Sequence, residues 1–171
     1  VPEGMPSIMV YERLLANDRL TGDIAVPAEG SILPDSYAFE KGEPRAAVVA
    51  RMQAAMQKAI DDLWPKRSKD TVVKTPQEAV TLASIVEKET SKKSELKMVA
   101  GVYSNRLTKG MMLQADPTII YPITKGKPLG RRIQVGFDPD TGEELFEEQQ
   151  LEYEVLPQIV DMQRFYAQRQ D

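Results

Sequence analysis

The sequence predicts an α+β domain that is rich in helices and has only a few short strands. Apolar residues recur at helical spacing in several segments bounded by proline or glycine. The β-branched segments between them are short and do not alternate regularly with the helices, which disfavours a parallel α/β sheet. The chain has 171 residues, 42% of them hydrophobic, and this is enough for one domain with a sizeable core.

Four helices are predicted from signals at their ends. Pro6 and Pro44 each suit the first position of a helix, where the missing N–H costs nothing. Thr75 and Glu78 form a capping box, which is the clearest helix start in the chain. Gly110 is expected to end the last of the four. The predicted helices cover residues 6–15, 44–63, 76–90 and 94–109.

Strands are expected in three places. Residues 31–39 are predicted to be a loop that enters a short strand, and the β-branched run 118–121 is a second strand candidate. Residues 133–137 and 144–147 flank the turn sequence Asp-Pro-Asp-Thr-Gly at 138–142, which predicts a hairpin.

Charge divides the chain near residue 133. Residues 134–171 carry ten acidic side chains and two arginines, a net charge of −8, whereas the preceding residues carry +4. Two segments of different origin or role would explain this break, and so would an ordinary solvated acidic face. The chain has no Gly-x-x-x-x-Gly-Lys-Ser/Thr loop for ATP, and the charge of the tail disfavours contact with DNA.

Histidine and cysteine are both absent, which excludes several kinds of site. No Ser-His-Asp or Cys-His catalytic unit, disulfide, iron–sulfur cluster or zinc site of the usual ligands can be built. Acid–base chemistry must therefore come from carboxylates, lysine or tyrosine. No apolar run approaches a membrane span, and the N-terminus is not a signal peptide. The first residue is not methionine, which fits a piece of a longer protein with an anchor upstream.

Two carboxylates lie near the end of the third predicted helix. Glu87 and Glu89 are separated by about 200° around the helix axis, so they cannot both face one cleft. Glu89 follows the aliphatic residues Leu82, Ile85 and Val86 at helical spacing. We therefore expect Glu89 at the buried end of an apolar stripe, partly desolvated, where the protonated form that a general acid needs is favoured.

The same pattern has a second interpretation. Val80 and Ala83 widen the apolar sector toward Glu87, so the choice between the two glutamates is incomplete. Both acids could also lie on an exposed C-terminal turn among Lys88, Lys92 and Lys93.

A second polar cluster surrounds a proline turn. Asn105, Gln114, Asp116 and Thr118 could present convergent hydrogen-bonding groups, as a sugar-binding cleft requires. Alternatively, Asp116 accepts hydrogen bonds from backbone N–H groups in a capped turn.

Together, these segments resemble a known family. The sequences Leu-Ala-Ser-Ile-Val-Glu-Lys-Glu-Thr, Val-Tyr-Ser-Asn-Arg-Leu and Gly-Met-Met-Leu-Gln-Ala-Asp-Pro-Thr-Ile-Ile-Tyr are similar to the signature of the YceG-like (MltG) endolytic murein transglycosylases. They occupy residues 82–90, 102–107 and 110–121. Residues 2–5 and 29–37 are similar to earlier landmarks of that family, so the resemblance covers about residues 1–133.

The resemblance implies a bacterial lyase of the cell wall. Such an enzyme cleaves the β-1,4 bond after N-acetylmuramic acid in nascent peptidoglycan strands, leaves a 1,6-anhydro end and limits strand length. It is anchored in the inner membrane with its catalytic domain on the periplasmic side. The implied organisation is the end of a LysM-like glycan-binding module over 1–28, a partial catalytic domain over 29–133 and an acidic tail over 134–171.

The resemblance also implies roles for particular residues. Glu89 matches the catalytic glutamate, which acts first as acid and then as base, while Gln114, Asp116, Asn105 and Tyr121 are expected to bind the glycan. No metal or cofactor is expected. The implied partners are glycan strands and the cell-wall synthesis machinery, and no nucleic acid is expected. Contact with a membrane is expected only through an anchor outside this chain.

The pattern of the family is interrupted after about residue 132. Its Tyr-Asn-Thr-Tyr, Gly-Leu-Pro-Pro-Gly and Asn-Pro-Gly segments are missing, and residues 135–160 instead resemble part of an FtsK-type DNA translocase. Two alternatives to an active lyase follow. One is a catalytically inactive glycan-binding or cell-division scaffold fragment, and the other, favoured only by the tail, is a translocase fragment.

Overall fold

The computed structural model describes residues 1–128, 136–137 and 144–145. The chain divides into two compact units, Val1–Ala100 and Gly101–Asp171. Across the described ranges, no helix is both long enough and apolar enough to span a membrane. The elements are α1 (Ser7–Leu15), α2 (Arg45–Leu63), a 3₁₀ turn (Trp64–Lys66), α3 (Pro76–Glu89), α4 (Leu96–Thr108), α5 (Asp116–Thr124), β1 (Gly136–Phe137) and β2 (Glu144–Leu145).

The first unit has a core between α1 and α2. Val10 and Leu14 on α1 and Val48 and Met52 on α2 are each spaced four residues apart, so each pair lies on one face of its helix. Val10 is 2% and Val48 1% exposed. Two loop residues, Leu20 and Ile32, complete the buried cluster. Residues 1–28 thus share a core with α2, and nothing in the described residues supports a separate LysM-like module there.

Arg45 joins the start of α2 to the end of α1. Its guanidinium donates to the carbonyl oxygens of Leu14 at 2.7 Å, Leu15 at 3.1 Å, Asn17 at 2.9 Å and Gly22 at 2.8 Å. The carbonyls at the C-terminal end of a helix lack partners within the helix and carry partial negative charge. A single cation therefore satisfies several of them and ties two helices together.

The helix ends follow the sequence signals closely. Thr75 Oγ1 accepts a hydrogen bond from Glu78 N at 3.1 Å, which caps α3, and the Glu78 carboxylate accepts from Lys74 N, one residue before the position that a capping box predicts. The predicted helix over 76–90 is observed over Pro76–Glu89. At the end of α4, Gly110 adopts φ +65° and Met111 N donates to Arg106 O at 2.9 Å. These are features of a Schellman motif, as predicted for a glycine stop.

Two of the predicted strands are wrong. Residues 118–121 lie inside α5, because Asp116 and Pro117 occupy its first turn and outweigh the strand preference of the β-branched run. Residues 31–39 form no strand. In that segment Tyr37 Oη donates to Leu33 O at 2.8 Å, and Tyr37 and Phe39 pack against the core of the first unit.

The predicted hairpin is confirmed where the structure describes it. β1 and β2 pair antiparallel, with Gly136 opposite Leu145 and Phe137 opposite Glu144. The turn at 138–142 lies outside the described residues. The predicted class is therefore confirmed in part: within the described ranges, helices dominate and the strands amount to this pair and a parallel bridge between Thr21 and Pro44.

Candidate functional site

Glu87 and Glu89 have different surroundings at the end of α3. Ile85 and Val86 are buried, Glu87 is half-buried and Glu89, the last residue of the helix, is exposed. The prediction that Glu89 lies at the buried end of an apolar stripe is therefore wrong for this chain. Of the apolar stripe, Ile85 and Val86 are buried and Leu82 is half-buried, and the buried part ends one turn before the carboxylate.

The N-terminal chain covers the side of α3 that carries Glu87. Gly4 and Gly30, from the two landmark segments at 2–5 and 29–37, both approach this helix. A Cβ on Gly30 would lie 2.9 Å from Val80 Cγ1, and one on Gly4 would lie 3.1 Å from Lys88 Cε and 3.5 Å from Glu87 Cγ. Val80 and Glu87 are seven residues apart and share a face. Close packing of these segments explains why Glu87 is the more buried of the two acids.

Glu29 has a structural role in the same region. Both of its carboxylate oxygens accept from Ser7 N at 3.1 Å, and Oε1 also accepts from the hydroxyl of the buried Ser7 at 3.3 Å. Ser7 is the first residue of α1, so the carboxylate satisfies an N–H that has no partner within the helix. The negative charge also lies at the favourable pole of the helix dipole. The 29–37 landmark thereby anchors α1.

A local network organises the turn that follows Glu89. Thr90 is extended and ends the helix, and its hydroxyl donates to Glu95 Oε2 at 2.8 Å. Lys92 N donates to Thr90 Oγ1 at 3.1 Å, and Lys92 Nζ pairs with Glu95 Oε1 at 3.1 Å. Among residues 1–128 no ion pair is formed by Glu89. The network pairs Lys92 with Glu95, and Glu89 stays exposed beside it.

In the second unit, Arg106 fixes the position of Gln114. Its Nη1 donates to Gln114 Oε1 at 3.0 Å, to Leu113 O at 2.7 Å and to Met112 O at 3.3 Å. Gln114 has φ +52°, a left-handed conformation that is costly for a residue with a side chain. Leu113 and Ala115 on either side are buried, whereas Gln114 is exposed. The contacts of Arg106 thus hold Gln114 on the surface in a strained conformation.

The other predicted glycan-binding residues lie on α4 and α5. Asp116 is exposed at the start of α5, where Ala115 is the N-cap and no side chain caps the helix. Asn105 is exposed on α4, and Tyr121 is half-buried on α5. Tyr121 follows Asp116 by five residues, which places it about 140° around the helix axis. Gln114 and Asp116 are separated in the chain only by the buried Ala115.

Sequence reasoning missed Arg106 as a site residue. The sequence did contain a signal: Arg106 is a cation in the last turn of α4, and a glycine stop follows that helix. A long side chain at this position can contact the residues that follow the glycine. As to metals, the described ranges hold no group of three or more acidic side chains that could bind an ion.

The chain is similar to cell-wall enzymes over most of its length. The YceG-like family model matches residues 1–150. The endolytic murein transglycosylase of Streptococcus pneumoniae serotype 2 (strain D39 / NCTC 7466) is 35% identical over 111 residues, which are 64% of this chain and 19% of that protein. That of Bacillus subtilis (strain 168) is 28% identical over 113 residues, 66% of this chain and 31% of that protein. The chain therefore spans less than a third of the length of these relatives.

A short stretch is similar to a different protein. The DNA translocase FtsK of Azospirillum brasilense is 60% identical over 35 residues, 20% of this chain and 6% of that protein.

Proposed function

Because the chain belongs to the YceG-like family, we propose that it is the part of a peptidoglycan lytic transglycosylase that carries the catalytic acid. The observation that carries the proposal is the similarity of the chain to two endolytic murein transglycosylases over 111 and 113 residues. The substrate is the glycan strand of nascent peptidoglycan. Cleavage falls on the β-1,4 bond between N-acetylmuramic acid and N-acetylglucosamine and limits strand length.

Glu89 is the catalytic residue in this proposal. Its carboxyl donates a proton to the glycosidic oxygen as the bond from C1 of N-acetylmuramic acid to that oxygen breaks. The resulting carboxylate then accepts the proton of the C6 hydroxyl while O6 bonds to C1, so the product ends in a 1,6-anhydro ring and no water is consumed. One carboxyl suffices, since the nucleophile belongs to the sugar, whereas ordinary glycosidases need two.

The assignment of Glu89 over Glu87 rests on its match to the catalytic glutamate of the family and not on burial, because Glu89 is exposed. A polymer must reach the acid along its length, and the segment at Gly4 packs beside Glu87 but leaves Glu89 exposed. The desolvation that a general acid needs is then supplied by the bound strand rather than by the protein. Gln114, Asp116, Asn105 and Tyr121 bind the glycan, the first two from positions just before and at the start of α5.

The first prediction tests the role of Glu89. Wild-type protein incubated with uncross-linked glycan strands should release fragments with anhydro ends, detected by mass spectrometry. Glu89→Gln keeps the size of the side chain and removes the acid, so the rate should fall at least about a hundredfold. Glu87→Gln is the matched control on the same helix turn and should retain most of the activity.

Three outcomes would contradict this assignment. Equal activity of Glu89→Gln and wild type would remove Glu89 from the mechanism, and loss of activity in Glu87→Gln alone would transfer the role to Glu87. Binding of strands without any anhydro product from the wild type would favour the alternative, an inactive glycan-binding or cell-division scaffold fragment.

We propose further that the intact protein acts beside the cell-wall synthesis machinery at the periplasmic side of the inner membrane.

A further inference from the structure

We propose that Arg106 is a positioning residue that makes Gln114 a hydrogen-bond donor for an N-acetyl carbonyl group of the glycan. The inference deepens the proposed function and rests on it for the nature of the ligand. It starts from the contact between Arg106 Nη1 and Gln114 Oε1 at 3.0 Å.

The chemistry of the two side chains fixes the direction of the Gln114 amide. Guanidinium nitrogens are donors without acceptor capacity, so the group that faces Arg106 must be the amide oxygen. The amide NH₂ of Gln114 therefore points away from Arg106. Gln114 is exposed, and no described residue accepts a hydrogen bond from this NH₂. The side chain offers a ligand two donors and little acceptor capacity.

The backbone of Gln114 is held in place at the same time. A residue with a side chain adopts φ +52° only where its surroundings enforce it, and such strain is concentrated at functional positions. Here Arg106 Nη1 also binds the carbonyls of Leu113 at 2.7 Å and Met112 at 3.3 Å. Burial of Leu113 and Ala115, 6% and 1% exposed, anchors both sides. The donor is thus pre-organised before any ligand arrives.

A donor of this kind selects an acceptor on the ligand. Hydroxyl groups of a sugar both donate and accept, whereas the carbonyl oxygen of an N-acetyl group only accepts and is the stronger acceptor. Both sugars of a peptidoglycan strand carry an N-acetyl group. Gln114 accordingly recognises this group, and Arg106 acts through Gln114 without touching the glycan.

The main experiment replaces the donors and keeps the contact to Arg106. Binding of N-acetylated, uncross-linked glycan strands is measured by calorimetry in the Glu89→Gln background, so that no strand is cleaved. Gln114→Glu is nearly isosteric and pairs with Arg106 through its carboxylate, but it has no N–H to donate. The affinity should fall roughly threefold to tenfold, the value of one hydrogen bond. De-N-acetylation leaves ammonium groups, which a carboxylate attracts, so on de-N-acetylated strands Gln114→Glu should lose no affinity relative to Gln114. An unchanged affinity of Gln114→Glu, or the same loss on de-N-acetylated strands, would overturn the proposal.

Two further comparisons separate the amide from the backbone. Gln114→Gly should have a higher melting temperature than Gln114→Ala, because only glycine is unstrained at positive φ, yet both should lose affinity equally. A lower melting temperature for Gln114→Gly would show that the strain is absent in solution. Arg106→Lys should lose as much affinity as Gln114→Gly, and the double variant should lose no more than either. An additive loss would mean that Arg106 contacts the ligand itself.

The outcomes distinguish this inference from the proposed function. If wild type releases no anhydro ends but the acetyl-dependent loss in Gln114→Glu is found, the positioning role of Arg106 stands and the lytic activity falls. If wild type releases anhydro ends but Gln114→Glu shows no acetyl-dependent loss of affinity, the lytic activity stands and the positioning role of Arg106 falls. Should Arg106→Lys fail to fold, the Gln114 variants alone decide.

Discussion

Glu43 and Arg51 form an ion pair at the surface of the first unit, eight residues apart in the chain. The hydrogen bond from Arg51 lowers the pKa of the Glu43 carboxyl below its ordinary value of 4.5, and a hydrogen bond from Glu40 N acts in the same direction against partial desolvation. Both partners remain accessible, with 17% of the Glu43 and 45% of the Arg51 side chain exposed. Since surface pairs are screened by solvent, their contribution to stability is small.

This pair predicts a pH-dependent difference in stability. A carboxyl whose pKa is lower in the folded state stabilises the fold at pH values above 4.5, and this contribution is lost as the pH falls through the folded pKa. Wild type should therefore be more stable than Glu43→Gln near neutral pH, and the two should converge in acid. Urea unfolding between about pH 7 and pH 3 measures this difference.

Arg51→Met provides the control for that experiment. It removes the donor that contributes most to lowering the pKa of Glu43, so the pH-dependent part of the difference should shrink strongly in this background. If wild type and Glu43→Gln differed in free energy of unfolding by the same amount at neutral and at acidic pH, the prediction would be wrong.

At the scale of elements, some helix ends are stabilised by residues a few positions away in the chain, and others by residues far away in the chain. The N-cap of α3 and the glycine stop of α4 involve residues within a few positions of the helix end. The start of α1 instead depends on Glu29, 22 residues further along the chain. Pro6 signals the start of α1 in the sequence, but the contact with Glu29 has no local signature.

Replacing Gly110 or Gly101 by alanine should change the stability of the protein in opposite directions. Gly110 has φ +65° and open space around a Cβ, so Gly110→Ala should destabilise by about 1 kcal/mol through backbone strain alone. Gly101 lies inside α4 with equally open space, and Gly101→Ala should stabilise by up to about 1 kcal/mol through helix propensity. Thermal unfolding followed by circular dichroism should shift in opposite directions, and a shift of the same sign would refute the assigned conformations.

At the scale of the whole molecule, contacts between remote segments hold the first unit together. Arg45 reaches carbonyls between 23 and 31 positions away in the chain. Glu29 and the glycines at 4 and 30 likewise join segments that the sequence separates. Of these contacts, those of the two glycines determine which side of α3 the N-terminal chain covers.

Loss of the Arg45 contacts should destabilise the first unit. Arg45→Lys keeps the charge but lacks the planar group that reaches four carbonyls, and we expect a loss on the order of 2 kcal/mol in the free energy of unfolding. Arg13→Lys is the matched control, because Arg13 is exposed and lies in the last turn of α1. Its effect should stay within about 0.5 kcal/mol. If Arg45→Lys were equally mild, the guanidinium would not hold α1 and α2 together.

The sequence by itself determined the helices α1 to α4, the stop at Gly110 and the segments that mark the family. Caps, prolines and glycine stops act within one turn, so their effect can be derived from neighbouring residues. It misassigned residues 118–121, where strand preference and the Asp-Pro start conflict within a few positions. Tertiary structure decided the rest: that Glu87 is covered and Glu89 exposed, that Glu29 anchors α1, and that Arg106 orients Gln114. The positions of the two glutamates and the anchoring of α1 depend on contacts between residues twenty or more positions apart. The orientation of Gln114 depends on the path of the chain after α4 ends. Neither can be derived from the spacing of residues in the sequence.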